Sequence, residues 1–205
     1  MLSMKILLVR HGETEWNSVN RLQGQLDSPV TARGHRQIAA LIRALDGEEI
    51  DRVVSSPAGR AVAAAMPIAA HFACPIRFDA RLIERGFGPL EGTVYPQLND
   101  AQRRLFDTIY SGDPHVTPPN GESLAAAAAR TIAALLAAGE AGDRCVCVVS
   151  HGQVIQAVIS ILDGHGAEHF PRYTHQNGSY SVLEYAAGRL SLVKWGIATH
   201  LLLRG

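Results

Sequence analysis

Cysteine is nearly absent: three residues in 205, at positions 74, 145 and 147. An odd and low count offers no disulfide framework. Excess charge of either sign is absent too, since 19 Lys and Arg balance 19 Asp and Glu. Such a chain has no net field to draw it onto nucleic acid or a membrane surface. Any positive charge that meets an anionic ligand must therefore be local. No apolar run approaches the length of a membrane span, and the Ala-rich stretch 125–129 stops at Arg130. Residues 1–10 carry a strand-like run rather than a signal-peptide core with a cleavage site. These absences together make a cytoplasmic location the simplest expectation. A G-x-S-x-G serine elbow, a P-loop and a G-x-G-x-x-G fingerprint are missing as well.

What remains is the composition of a globular enzyme-sized chain, with 47% apolar and 19% charged residues. One domain over 1–205 is the expectation at this length. Short apolar runs at 5–10 (KILLVR), 52–56 (RVVSS) and 144–150 (RCVCVVS) read as buried parallel strands, with a further strand at 75–79. Helices are expected over 31–46, from 59 to about 72, over 96–110, over 123–138 and from 152 to about 162. In the first of them Ile38, Leu41, Ile42 and Leu45 share a face. Residues 11–30 read as a long polar loop of the kind that is usually functional. Segments 179–186 and 190–196 suggest a terminal hairpin around Gly188-Arg189. Alternating strands and helices predict an α/β fold: three layers, α/β/α, with a mostly parallel sheet and a C-terminal antiparallel hairpin.

In such sheets ligands lie beyond the carboxyl ends of the strands. Three strands end in polar signatures: Arg10-His11-Gly12, Ser55-Ser56-Pro57 and Ser150-His151-Gly152. His11 and His151 are thus expected at one edge. A neutral imidazole is a competent nucleophile near pH 7. Arginine offers a planar fork of donors to phosphate oxygens. Gly12 is expected to let a phosphate approach the backbone.

Leu8–Asn17 (LVRHGETEWN) resembles the signature of the histidine phosphatase superfamily, branch 1, the phosphoglycerate mutase-like group. Arg21-Leu22-Gln23-Gly24, Ser55-Ser56-Pro57 with Arg60-Ala61, Leu82–Gly92 (LIERGFGPLEG), Gly121-Glu122-Ser123 and Val149–Gly152 (VSHG) continue the likeness in order. The resemblance implies a phosphoglycerate mutase-like fold and assigns roles. His11 would be the phosphorylated nucleophile. Arg10, Arg60 and His151 would clamp the transferring group. Glu84 would be general acid, then base. Asn17, Gln23, Gly24 and Gly152 would line the phosphate pocket, and Glu13 would orient its loop. Two arginines and a second histidine could supply the charge a metal supplies elsewhere, so none is expected.

The expected reaction is metal-independent phosphomonoester hydrolysis through phosphohistidine, on a small phosphorylated substrate. A mutase using the same site, with 2,3-bisphosphoglycerate as primer, is the alternative; a catalytically silent phospho-ligand-binding module is the third. Oligomeric state stays open, a homodimer included. Gln153-Val154-Ile155 and Asn177-Gly178-Ser179 favour hydrolase, as does the absence of a lysine at Thr93-Val94-Tyr95. Arg103-Arg104 resembles a mutase pair, though a solvated helix face is the default for such residues. Gln156 stands where the phosphatase pattern often has arginine, and Ala58-Gly59 could loosen the hold on Arg60. His165 and His169 could sit on one helical face as metal ligands, but Gly164, Gly166 and Pro171 argue against a long helix there. Cys145 and Cys147, two apart on a strand, should share one buried face.

Overall fold

A computed structural model describes residues 3–202. Its centre is a six-stranded sheet: β1 (Met4–Arg10), β2 (Arg52–Ser55), β3 (Ile76–Phe78), β4 (Cys145–Ser150), β5 (Tyr180–Ala186) and β6 (Arg189–Ile197), in the order β3-β2-β4-β1-β5-β6. The first four positions are parallel, and β5 and β6 continue antiparallel. The mostly parallel sheet and its terminal hairpin are as expected.

Strand alternation sorts the side chains into two cores. Leu7, Val9, Val53, Cys145, Cys147 and Val149 face one side. There they meet α2 (Ala32–Ala44) and α3 (Gly59–His71). Ile6, Leu8, Val54, Val146 and Val148 face the other, against α5 (Leu124–Gly139) and α6 (Gly152–Leu162). Both cores are built of fully buried aliphatic residues, each stabilising the fold by about 2 kcal/mol. Cys145 and Cys147 do share the α2/α3 face, buried.

Side chains set the helix starts. Thr31 Oγ1 accepts from Gly34 N at 3.0 Å and opens α2, and Ser123 Oγ caps α5. α4 (Asp100–Ile109) starts later than the expected Pro96. Asn99 and Gln102 form a capping box there, and Tyr95–Gln97 is a separate 3-10 turn. The loop 11–30 is also more ordered than its polarity suggests. It holds the short helix α1 (Glu15–Ser18) and closes on itself through a bridge between Thr14 and Val30. In the hairpin, the turn is Ala187-Gly188 rather than Gly188-Arg189. Both turn residues have positive φ, 50° and 76°, the geometry that matches strand twist in a two-residue turn. No helix among the described residues is long and apolar enough to cross a membrane.

Candidate active site

Inserting β4 between β1 and β2 aligns the three polar strand ends. Arg10 is in register with Ser150. His11 N donates to Ser150 O at 3.2 Å, and Ser56 N donates to Val149 O at 2.9 Å. The His11 and His151 rings consequently lie with centroids 5.2 Å apart and planes at 59°.

His11 Nδ1 donates to Gly12 O at 2.7 Å. That bond places the ring proton on Nδ1 and leaves the lone pair on Nε2. Nε2 makes no hydrogen bond among the described residues, and His11 lines a cavity of about 210 Å³. Burial, then the charges of Arg60 and Arg10, hold its pKa well below the ordinary 6.5. Burial and Arg60 do the same for His151. Both rings are therefore neutral at pH 7, and the two guanidinium groups beside them help to keep them so.

Arg60 is fixed from three sides. Its Nη1 donates to Leu26 O at 2.7 Å and Asp27 Oδ1 at 3.0 Å, and its Nη2 to Gly24 O at 2.7 Å. Ala58-Gly59 do not loosen it. A Cβ at Gly59 would meet Asp27 Oδ2 at 2.5 Å, so the glycine is what lets Asp27 close over the helix start. Arg10 donates from Nη1 to His175 O at 2.5 Å. A Cβ at Gly152 would press on its guanidinium at 3.2 Å, so the glycine makes room for it. Nε of Arg10, Nε of Arg60 and Nδ1 of His151 are buried with no partner among the described residues.

Glu84 reaches the start of α6. Its Oε1 accepts from Arg85 N at 2.9 Å and Val154 N at 3.2 Å, and its Oε2 from Gln153 N at 3.0 Å. Arg130 secures the strap that carries it. Its Nη1 donates to the carbonyls of Arg81 and Ile83, its Nη2 donates to the carbonyl of Glu84, and the guanidinium forks onto Glu122. Buried Arg85 adds bonds to Glu122 O, Val116 O and Gln153 Oε1.

The cavity wall brings together Arg10, His11, Asn17, Gln23, Gly24, Arg60, Glu84 and Gly152. His151 is not on the wall. It is fully buried behind His11, sharing a 2.7 Å bond between its Nε2 and Ser56 Oγ. Glu13 orients its loop, as expected: Oε1 accepts from Thr31 Oγ1 at 3.0 Å and Oε2 from Arg33 Nη1 at 3.0 Å. Gly12 also has a packing reason to be bare. A Cβ there would meet Gly34 O at 2.5 Å, so its bareness serves the packing of the His11 loop onto α2.

Two wall residues escaped the sequence reading, Tyr110 and Phe170, while Phe87 and Gln153 were noted only as parts of family motifs. They lie on loops and helix ends, where one sequence carries no phase. Burial pushes the Tyr110 hydroxyl up to about 12, so it stays a neutral donor. Arg130 was findable, being the lone charge in the helix 124–139. Arg103 turns back on its own segment, donating to Leu98 O at 3.3 Å and covering Tyr95, while Arg104 is exposed. His165, ahead of a 3-10 segment at Ala167–Tyr173, shares a 3.0 Å bond with Tyr173 Oη. Among the described residues no three His, Cys, Asp or Glu side chains are grouped as metal ligands.

Residues 6–198 match the family described as the histidine phosphatase superfamily (branch 1). A probable phosphoglycerate mutase, GpmB, of Salmonella choleraesuis is 33% identical over 198 residues, 96% of this chain and 92% of that protein. Bacillus stearothermophilus YhfR has a similar structure, with TM-score 0.85 at 26% identity, over 97% of this chain and 99% of that one. So does a mycobacterial glucosyl-3-phosphoglycerate phosphatase, Rv2419c, solved with VO3: TM-score 0.81, 28% identity, 94% and 99% coverage.

Proposed function

Because the chain belongs to branch 1 of the histidine phosphatase superfamily, we propose that it is a metal-independent phosphomonoesterase with His11 as nucleophile and Glu84 as acid and base. The observation that carries this is the state of His11: a neutral ring, its proton committed to Gly12 O, with an unpaired Nε2 on the wall of a cationic cavity.

In the first step the Nε2 lone pair forms the N–P bond as the P–O ester bond breaks. Glu84 gives its proton to the departing alkoxide oxygen. Gly12 O keeps hold of the Nδ1 proton and steadies the positive charge that the ring acquires. The transition state is loose, so its charge is met by fixed donors rather than by new bonds. Arg10 Nε and Arg60 Nε, on residues of the cavity wall, are buried and unsatisfied until an anion meets them, at about 1–3 kcal/mol for each such donor. In the second step Glu84, now a carboxylate, takes a proton from water. The water oxygen bonds phosphorus, the N–P bond breaks, and His11 returns neutral.

A mutase remains the competing reading, since the relative named above is a probable phosphoglycerate mutase. Its substrate carries a carboxylate beside two esterifiable oxygens, which calls for a second cationic clamp. Arg103 and Arg104 do not line the cavity, and among the described lining residues only Arg21 is a cation beyond Arg10 and Arg60. That favours hydrolysis. The test is a panel of phosphate esters scored for phosphate release with and without chelator, run beside 3-phosphoglycerate plus 2,3-bisphosphoglycerate scored for isomerisation. We expect release to exceed isomerisation and to survive the chelator, and a phosphoprotein label stable in base but not acid that vanishes in His11→Ala. Full turnover by His11→Ala would end the proposal.

A further inference from the structure

The phosphate cavity opens into a second compartment of about 420 Å³, which shares Arg10, Asn17, Arg21, Leu22 and Tyr110 with it. Three rings stand in the wall of the second compartment, beside Arg10, Arg21, Leu22 and three asparagines. Tyr95 meets Phe106 edge-on at 4.8 Å between centroids, and Phe106 stacks on Tyr110 at 4.3 Å and 20°. Tyr110 then leans on Phe170 at 5.9 Å, which carries the aromatic surface back into the phosphate cavity. Tyr95 remains 42% exposed, so the row has an open end. Among the described residues no Asp, Glu or Lys lines this compartment. Arg21 stands between the two compartments with no hydrogen bond or ion pair from its guanidinium among the described residues, lying over Trp16 at 5.3 Å.

We propose that this compartment holds the alcohol half of the substrate and selects phosphate monoesters whose alcohol carries a flat aromatic or heteroaromatic ring. The inference rests on the phosphoryl-transfer reading and narrows its substrate class. A ring laid against Tyr95, Phe106 or Tyr110 adds a stacked or edge-to-face partner to an aromatic row that already exists. An aliphatic group of equal bulk gains the burial but not the facing of planes. The arginines and asparagines that complete the lining can meet polar substituents on such a ring.

The experiment compares kcat/KM for benzyl phosphate, cyclohexylmethyl phosphate and 3-phosphoglycerate. The first two match in size and in the basicity of the leaving oxygen, and they differ in planarity. The native enzyme should prefer benzyl over cyclohexylmethyl by about tenfold. The ratio should fall toward one in Phe106→Leu, which keeps apolar bulk and removes the ring. Should Phe106→Leu fold poorly by thermal melting, Tyr95→Leu, at the exposed end, reads the same ratio. Equal rates for the two esters in the native enzyme, or a ratio unmoved in the leucine variants, would overturn the inference. So would a preference for 3-phosphoglycerate, which would make Arg21 a carboxylate clamp. Release from none of the three, with no acid-labile label on His11, would instead sink the phosphoryl-transfer reading on which it stands.

Discussion

Glu84 presents both carboxylate oxygens to backbone N–H groups at the start of α6, and this geometry sets what its amide should do. Glu84→Gln keeps an acceptor but has no proton to give or base to offer. Its kcat should drop about a thousandfold. With 4-nitrophenyl phosphate, whose leaving oxygen needs no proton, a stoichiometric burst of 4-nitrophenol should persist before turnover stalls. Loss of the burst together with turnover would mean that Glu84 is structural. At this scale the sequence was most informative for the side chains proposed to carry the chemistry: His11, Arg10, Arg60 and Glu84 stand on one wall. It was least informative where a side chain acts by excluding or stacking. Tyr110 and Phe170 look like ordinary core residues until α4 and the 167–173 turn are placed.

Elements position these groups through close backbone approach and carbonyl clamps. Gly12 and Gly34 face each other so closely that a Cβ on Gly34 would meet Glu13 O at 2.2 Å. Backbone cannot give way as a side chain end can. Gly12→Ala and Gly34→Ala should each destabilise by about 2 kcal/mol or more in urea unfolding. A phosphate-approach role would instead leave stability alone and raise KM. Arg130→Met should loosen the Glu84 strap, lowering the melting temperature and reducing kcat by about tenfold with little change in KM. The elements themselves were legible because strands in a parallel sheet are continuous apolar runs. Even α3 was, although Pro67 lies inside it: the proline is on the solvent side, where the carbonyl it frees can meet water. The late start of α4 was not, because Pro96 suits a helix's first turn as well as it suits the 3-10 turn it occupies.

Across the whole molecule, buried neutral histidines tie stability to pH. His11, His151 and His175 all have folded pKa values depressed by burial, His175 to about 4. The unfolded chain binds a proton at each near its ordinary 6.5, and the folded chain does not. Stability should hold above pH 6.5 and fall as pH drops below it, by about 1.4 kcal/mol per pH unit for each histidine involved. Denaturation midpoints from pH 8 to pH 5 check this; a flat profile would mean the rings are protonated in the fold. Strand order, which makes that cluster, could not be read from element sequence alone, since the position of β4 depends on long-range pairing. The same arrangement decides what the cysteines can do. Cys147 is sealed in the α2/α3 core with its thiol pushed up by burial, Cys145 is raised to about 11, and Cys74 precedes the sheet edge away from the strand ends that bear His11. With His11 as the proposed nucleophile, two thiols buried and Cys74 half-buried away from the site, activity should survive peroxide or iodoacetamide treatment that silences thiolate-dependent phosphatases.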